Sequence, residues 1–398
     1  MKQIKYDRVL MLLENGPFPQ DIRVLNEAQT LVAAGYRVSL ICPAKSDQYW
    51  REKINGVNVF RYPPSPRFNS VFGYLVEYGY SMLATFLLSL LVCVKPGFDI
   101  IHAANPPDTM VFCAAFYKLF KKRFIYDHHD LAPELFNARF INNKHNFLYR
   151  ILVLLEKISC QVADLIITTS QSYKVLEIER ARVPAERIVV VRNGPDNQFQ
   201  YIKPEPGLCR PDKTIIAYAG TIGVQDGVDY LLRALKHLSS ELGRKDFICY
   251  LVGDGDAFDA IKVLTEKLEL RNLIYFTGWI DHPKVARYLS MADICVAPEP
   301  SNSYNDRSTI IKIMEYMAMG KPIVSFDLPE NRVSAQDAAL YARPNDTSDF
   351  AQKISTLMDD SERRIKMGRY GRERIEKELA WRHQKKYLIK AYEKISNK

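Results

Sequence analysis

A chain of 398 residues with 47% hydrophobic and 25% charged residues can fill two cores, which excludes a disordered protein and makes two domains the natural expectation. The net charge of +9 admits nucleic acid, an anionic membrane surface or simple solubility, but no helix-turn-helix, zinc-finger or RNA-recognition pattern accompanies it, so nucleic acid is set aside as a partner. Seven cysteines, without Cys-x-x-Cys or Cys/His metal spacing and mostly inside apolar runs (Cys42, Cys93, Cys249, Cys295), read as reduced buried thiols of a cytoplasmic protein.

The first 15 residues carry a strand at 9–13 and lack the apolar core and cleavage site of a secretory signal. The loop ENGPFPQ follows. Asp21 then caps a helix whose apolar stripe is Val24, Leu25, Ala28, Leu31 and Val32, ended by Gly35. Strands are expected at 38–42 and 57–62. Residues 78–94 hold no charge, but Tyr80, Ser81, Thr85 and Ser89 interrupt them and they fall short of the ~20 apolar residues of a usual span. A buried helix or one lying on a membrane surface fits, and burial is the preferred expectation. Residues 146–160 are amphipathic, with Phe147, Ile151, Leu154, Leu155 and Ile158 on one side. With the basic run KLFKKRF at 118–124, they point to contact with lipid.

Strand signals continue at 100–103, 124–128, 165–168 and 188–191, separated by helical segments after Pro107, before Cys160 and after Ser170. This alternation predicts a doubly wound parallel sheet. Ligands of such sheets bind at the carboxyl ends of the strands, so Gly16, residues 102–105 and 128–130, Thr169, Ser170, Asn193 and Gly194 are expected along one edge. Residues 198–212, QFQYIKPEPGLCRPD, hold three prolines and read as a linker. The alternation then restarts, with strands at 214–219, 247–252, 273–276, 294–297 and 323–326. The basic tail from Ser361 onward is helical. The expected domains are 1–197, 213–378 after the linker, and a final helix at 379–398 packing back on the first domain.

Residues 291–330 hold the most informative chemistry. The strand stops at Pro298, a polar loop runs over 299–307, and Ser308 or Thr309 can cap a helix with Ile310, Ile311, Met314, Met317 and Ala318 as its buried stripe. Gly320 and Pro322 end it. The positive end of such a helix attracts an anion, and Lys312 and Arg307 border it, with Glu315 one turn further. A phosphate at the helix start and a hydroxyl-rich group on Glu315 describe a nucleotide sugar. The same residues also fit a capped core helix with a solvated Lys–Glu pair.

Nine segments decide between these readings: DIRVLNEAQTLVAAGYRVSLIC, IIHAANPPD, YDHHDLAPE, ADLIITTS, VVVRNGPD, YAGTIGVQDGVDYLL, LVGDGD, FTGWI and EYMAMGKPIV, the last at 315–324. In this order they resemble the family-4 retaining glycosyltransferases of the GT-B fold, in the branch that builds polysaccharides and lipid-linked glycans such as capsule or O-antigen. The resemblance implies an α/β protein with two Rossmann-like domains facing across a cleft and C-terminal helices. It implies a UDP- or GDP-sugar donor, a lipid-linked or glycan acceptor, no cofactor, no metal, and a peripheral position at the cytoplasmic face of the inner membrane.

The resemblance also assigns roles by position. Glu315 bonds the donor ribose, and the backbone at Ser308 and Thr309 holds the diphosphate. His129 lies near the transferred sugar, with His128, Asp130 and Glu134 crowding it. Gly16 belongs to a loop approaching the phosphates. Gly220 and Thr221 follow the first strand of the second domain, and Gly253 and Asp254, with Gly255, pass close to the base or ribose. Three departures stand out. Arg307 occupies a position where the family often has a glutamate, leaving Glu299 and Asp306 to reach the sugar hydroxyls. Thr221 and Asp226 stand where the family often has an arginine and a lysine. Lys312 and Arg307 are the expected substitutes, from the opposite wall of the cleft, stabilising the leaving diphosphate without a metal; no Asp-x-Asp motif occurs in a suitable place. A non-catalytic GT-B-like partner of an assembly complex and a sugar-nucleotide epimerase of the same fold are the alternatives.

Overall fold

The computed structural model describes residues 7–45, 48–64, 71–139, 146–195 and 212–396. The expected linker lies outside the described residues except for Asp212. The chain divides into two compact units, Met1–Arg192 with Gln384–Lys398, and Asn193–His383.

The first unit is built on an eight-stranded sheet. Its strands are β1 (Arg8–Leu12), β2 (Arg37–Pro43), β3 (Arg51–Ile54), β4 (Val57–Tyr62), β5 (Ile100–Ala104), β6 (Arg123–His128), β7 (Leu165–Thr168) and β8 (Ile188–Val190), in the order β3-β4-β2-β1-β5-β6-β7-β8. All pairings are parallel except β3 with β4. The central strands are buried on both faces and therefore read as continuous apolar runs. The antiparallel β3, with the sequence REKI, is too short and polar to announce itself. The covering helices are α1 (Ile22–Ala33), α2 (Val71–Val94), α3 (Met110–Lys118), α4 (Ala132–Arg139), α5 (Asn146–Val162) and α6 (Gln171–Ala181). Asp21 caps α1 through the Val24 N–H, as the sequence predicts.

The preference for a buried segment at 78–94 is corrected. Helix α2 packs Ala84, Phe86, Leu88, Val92 and Cys93 into the core, while Leu83, Leu87, Leu91 and Val94 are 54–88% exposed on its other side. A helix that is apolar all round gives no sequence signal of which side meets solvent.

The second unit holds a six-stranded, fully parallel sheet: β9 (Thr214–Ala219), β10 (Phe247–Val252), β11 (Ile274–Gly278), β12 (Ile294–Ala297), β13 (Ile323–Phe326) and β14 (Ala339–Ala342), ordered β11-β10-β9-β12-β13-β14. Helices α7 (Val228–Ser240), α8 (Phe258–Lys267), α9 (His282–Met291), α10 (Ile311–Ala318), α11 (Pro329–Ala335), α12 (Thr347–Asp359) and α13 (Ser361–Arg374) cover it. The last helix, α14 (Trp381–Ser396), enters the first unit from Gln384 on. The strand order reverses between β9 and β12, the switch point where ligands of open α/β sheets bind. Gly253 has φ +139°, and a Cβ there would lie 1.9 Å from the Gly220 carbonyl. A side chain at Gly227 would meet the Pro298 carbonyl at 2.2 Å. Glycine thus lets the loops after β9, β10 and β12 close on one another.

Candidate active site

In the second unit, α10 is latched to the carboxyl end of β9. The Tyr316 hydroxyl accepts from the Ala219 N–H at 2.9 Å and donates to the Ala219 carbonyl at 3.2 Å. Lys312 crosses to the same strand end. Its Nζ donates to the Tyr218 hydroxyl at 2.9 Å, lies 4.4 Å from the centre of the Tyr218 ring, and pairs with Glu299 at 2.5 Å and Asp226 at 3.2 Å. Desolvation works against the buried ammonium, but Glu299, Tyr218 and Asp226 around it hold its pKa well above that of an ordinary lysine. The Lys312 ammonium would also stand 3.3 Å from a Cβ at Gly220. A cation from α10 therefore occupies the loop after β9, where the sequence itself offers only Thr221 and Asp226.

Glu315 sits one turn along α10. Its carboxylate makes no hydrogen bond or ion pair among the described residues, and burial pushes its pKa up to about 7, against the pull of Lys312. An unpaired, partly desolvated carboxylate beside a switch point is poised to accept hydroxyl protons.

Several expectations are corrected here. Neither Ser308 nor Thr309 caps α10, which begins at Ile311 with Ile310 in the cap position. The Ser308 hydroxyl donates to the Tyr304 carbonyl at 2.8 Å and closes the turn of the preceding loop, and the Thr309 hydroxyl is buried without a partner among the described residues. Ile311 is exposed, and Ile313 and Tyr316 take its place in the buried stripe. Glu299 is not free for a sugar, because it is buried against Lys312. Asp306 accepts from the Ser301 hydroxyl at 3.2 Å within its own loop. Arg307 donates to the Ser303 carbonyl at 2.8 Å. Thr221 is exposed, with its carbonyl accepting from the Tyr218 hydroxyl. Asp254 is exposed and accepts from the Gly255 N–H at 2.8 Å.

In the first unit, His129 follows β6. Asn105, after β5, accepts the His129 and Asp130 N–H groups on its side-chain oxygen at 2.8 and 3.1 Å. The His129 Nδ1 stands 3.1 Å from Asp127, which Arg23 grips with contacts of 2.6 to 3.2 Å. Burial disfavours a charged ring, but Asp127 and Asp130 outweigh it and raise the His129 pKa above the ordinary value. With Nδ1–H committed to Asp127, Nε2 makes no hydrogen bond among the described residues. The expected crowding by His128 and Glu134 is not observed. Strand alternation sends His128 to the opposite face, where its Nδ1 meets Glu177 at 2.8 Å and its ring stacks on Tyr126, while Glu134 pairs with Arg180. Gly16 lies in the loop after β1 with open space beside it.

Residues 20–199 match the profile of Glycosyltransferase Family 4, and residues 213–360 that of Glycosyl transferases group 1. The chain belongs to the family-4 glycosyltransferases of the GT-B fold. Among curated relatives, the chitobiosyldiphosphodolichol beta-mannosyltransferase of Candida albicans is 24% identical over 282 residues, which cover 66% of this chain and 60% of that protein; the chain thus spans less than two thirds of that relative's length. Among solved structures, sucrose-phosphate synthase from Thermosynechococcus elongatus shares the fold with a TM-score of 0.80 at 18% identity, covering 98% of this chain and 99% of that one. The Anabaena protein HepE in complex with UDP-glucose aligns with a TM-score of 0.70 at 17% identity, covering 97% and 99%.

For this family-4 chain the motif-based reading expected Asn105 along the ligand edge but missed Tyr218, Tyr316, Asp127 and Arg23 as parts of the site. Alternation along YDHHD was the available signal for Asp127, since it places Asp127 and His129 on one face. Nothing in the local sequence announces Tyr218 as the seat of the lysine.

Proposed function

We propose that this protein transfers a sugar from a UDP- or GDP-linked donor to a lipid-linked or polysaccharide acceptor of capsule or O-antigen type. We further propose that it retains the anomeric configuration, needs no metal ion and works as a peripheral protein at the cytoplasmic face of the inner membrane. The observation that carries this reading is the pair on α10: Lys312 seated at the end of β9 and Glu315 unpaired beside it. The carboxylate accepts the ribose hydroxyls. The diphosphate lies against the N–H groups of Ile311 and Lys312, the first two of α10, and shares Lys312 with Glu299 and Asp226. Those dipoles and that cation meet the charge developing on the departing phosphate, which takes the proton of the acceptor hydroxyl as the new bond forms on the same face. In the first unit, His129 offers Nε2 to a hydroxyl of the sugar, and the Gly16 loop has open space beside it.

The membrane reading draws support from one surface of the first unit. The exposed Leu83, Leu87, Leu91 and Val94 of α2 adjoin α3 through the Phe86–Phe116 contact at 5.2 Å. Phe112, Leu119 and Phe120 are exposed there too, beside Lys118, Lys121 and Lys122. Apolar side chains flanked by lysines suit an anionic bilayer surface.

A panel of UDP- and GDP-sugars tests the function. One of them should raise the melting temperature by mass action and release nucleoside diphosphate slowly without acceptor, with chelator present. The anomer of the product, read by NMR, tests retention; the fungal relative is named for a β-linkage, and an inverted product would overturn that part. An isomeric nucleotide sugar would point to the epimerase instead, and no stabilisation by any donor to the non-catalytic partner.

A further inference from the structure

Behind Asp127 the first unit holds a buried cluster, where α1, β5, β6 and α14 meet, whose members Glu27, His102 and Tyr392 the transfer chemistry leaves unused. Arg23 reaches Asp127 at 2.6 Å and Glu27 at 3.1 Å. His102, fully buried, stands with Nε2 at 3.3 Å from Glu27 and 3.7 Å from Asp127, and with Nδ1 at 2.7 Å from the Tyr392 hydroxyl. Ligand-type atoms of Glu27, His102 and Asp127 lie within 4.8 Å of one another, but the Arg23 guanidinium already hydrogen-bonds Asp127 and pairs with Glu27, so the cluster is an ion network. Two carboxylates face one arginine, and a protonated His102 brings the charges to balance. Asp127 is shared: His102 and His129 both approach its Oδ2, at 3.7 and 3.1 Å, and Arg23 grips both of its oxygens.

We propose that Tyr392, on the last helix, is a positioning residue for His129, acting through His102 and Asp127. The tyrosine hydroxyl accepts the Nδ1–H of a protonated His102, and that cation limits how much of the Asp127 charge is left to hold the His129 ring. The inference rests on the reading of His129 as the group beside the transferred sugar, and it gives the C-terminal helix a role in that site beyond packing.

The groups that face His102 are Arg23 and Glu27 of α1, Asp127 of β6 and Tyr392 of α14; those that face His129 are Asp127, Asp130 and Arg23. Desolvation opposes a charged His102, yet Asp127 and Glu27 raise its pKa to about 9, while burial keeps Tyr392 a phenol well above neutrality. Removing only the hydroxyl strands a buried Nδ1–H and makes the His102 proton easier to lose. A neutral His102 no longer offsets Asp127, whose charge then falls more fully on His129. The His129 midpoint should therefore rise.

The test is a ¹⁵N-imidazole NMR titration of the full chain, with the His129 resonance assigned by its disappearance in His129→Gln. Tyr392→Phe should move the His129 midpoint up by about half a pH unit, His102→Gln should move it the same way, and Asp127→Asn should move it down. Tyr392→Phe keeps the ring packed edge-on to Tyr36, so a purely structural role leaves the midpoint where it was. An unchanged or lowered midpoint in folded Tyr392→Phe overturns the proposal; should that variant not fold, an unchanged or lowered midpoint in His102→Gln does the same. Donor turnover is read separately: if His129→Gln leaves its rate and pH profile unaltered while the midpoints shift as stated, the assignment of His129 to the sugar fails and the coupling stands.

Discussion

At the scale of single residues, Glu315 links donor binding to pH. The carboxylate form accepts hydroxyl protons, and with a pKa of about 7 its ionised fraction rises roughly tenfold between pH 6 and pH 8. Donor affinity, measured by calorimetry, should rise by the same factor and then level off, and Glu315→Gln should bind weakly at every pH. The same shift acts on stability with the opposite sense. The folded state holds the Glu315 proton at pH values where the unfolded chain has released it, so stability falls as pH rises from about 4.5 to 7. By pH 8 the loss amounts to at most about 3 kcal/mol. Glu315→Gln should therefore be the more stable protein at pH 8 in urea unfolding, with the two curves converging near pH 4. Lys312 behaves differently because it has partners. Lys312→Ala leaves Glu299 buried without a counter-charge, a loss of about 3–5 kcal/mol at neutral pH, and it should raise the donor KM. Asp226→Asn keeps Lys312 and removes one competitor for it, so donor affinity should increase; an unchanged affinity in both variants would remove Lys312 from the phosphate site.

At the scale of elements, α2 shows how far the sequence could be read. Strand and helix order was legible along most of the chain, because parallel strands buried on both faces leave unbroken apolar runs and short capped helices separate them. The stretch around α10 was legible in type but not in register. Ser308 has the chemistry of a helix cap, yet the turn before it uses that hydroxyl, and only the folded loop decides. Glu299 and Asp226 carry no local mark of their shared lysine, since they lie on the loops after β12 and β9 and Lys312 lies on α10. For α2 the sequence showed apolar character on all sides and so could not assign an outer face. By length and composition Val76–Val94 could span a bilayer, but one face is committed to the core, which leaves the other to lie on a surface. Leu83→Glu with Leu87→Glu places two charges on the exposed side alone. These variants should keep the wild-type melting temperature and donor hydrolysis but lose flotation with vesicles of anionic phospholipid. Retained flotation would move the membrane contact elsewhere.

At the scale of the whole molecule, the two units differ in how the chain closes them. The second unit is contiguous, Asn193–His383, whereas the first is completed by Gln384–Lys398 from the far end of the sequence. That segment is no loose tail. Leu388, Ala391, Tyr392 and Ile395 are buried in the first unit, and Tyr392 lies between Tyr36 and His102. Full burial of a large apolar side chain contributes about 1.5–3 kcal/mol. Removing these four, together with the tyrosine's hydrogen bond, costs on the order of 5 kcal/mol or more, comparable to the whole stability of a typical domain. A chain ending at His383 should therefore show a first unit that melts far below its wild-type temperature, or not cooperatively at all. The second unit keeps every one of its strands and should retain its transition. Hydrogen exchange resolved by segment separates the two: protection should collapse across β1, β5 and β6 and persist across β9, β10 and β12. The nucleotide reading adds a further arm, because a donor that binds α10 should still slow exchange around residues 311–318 in the shortened chain. Protection falling equally in both units would mean that α14 supports them jointly, and protection unchanged in the first would mean that its core closes without the returning helix.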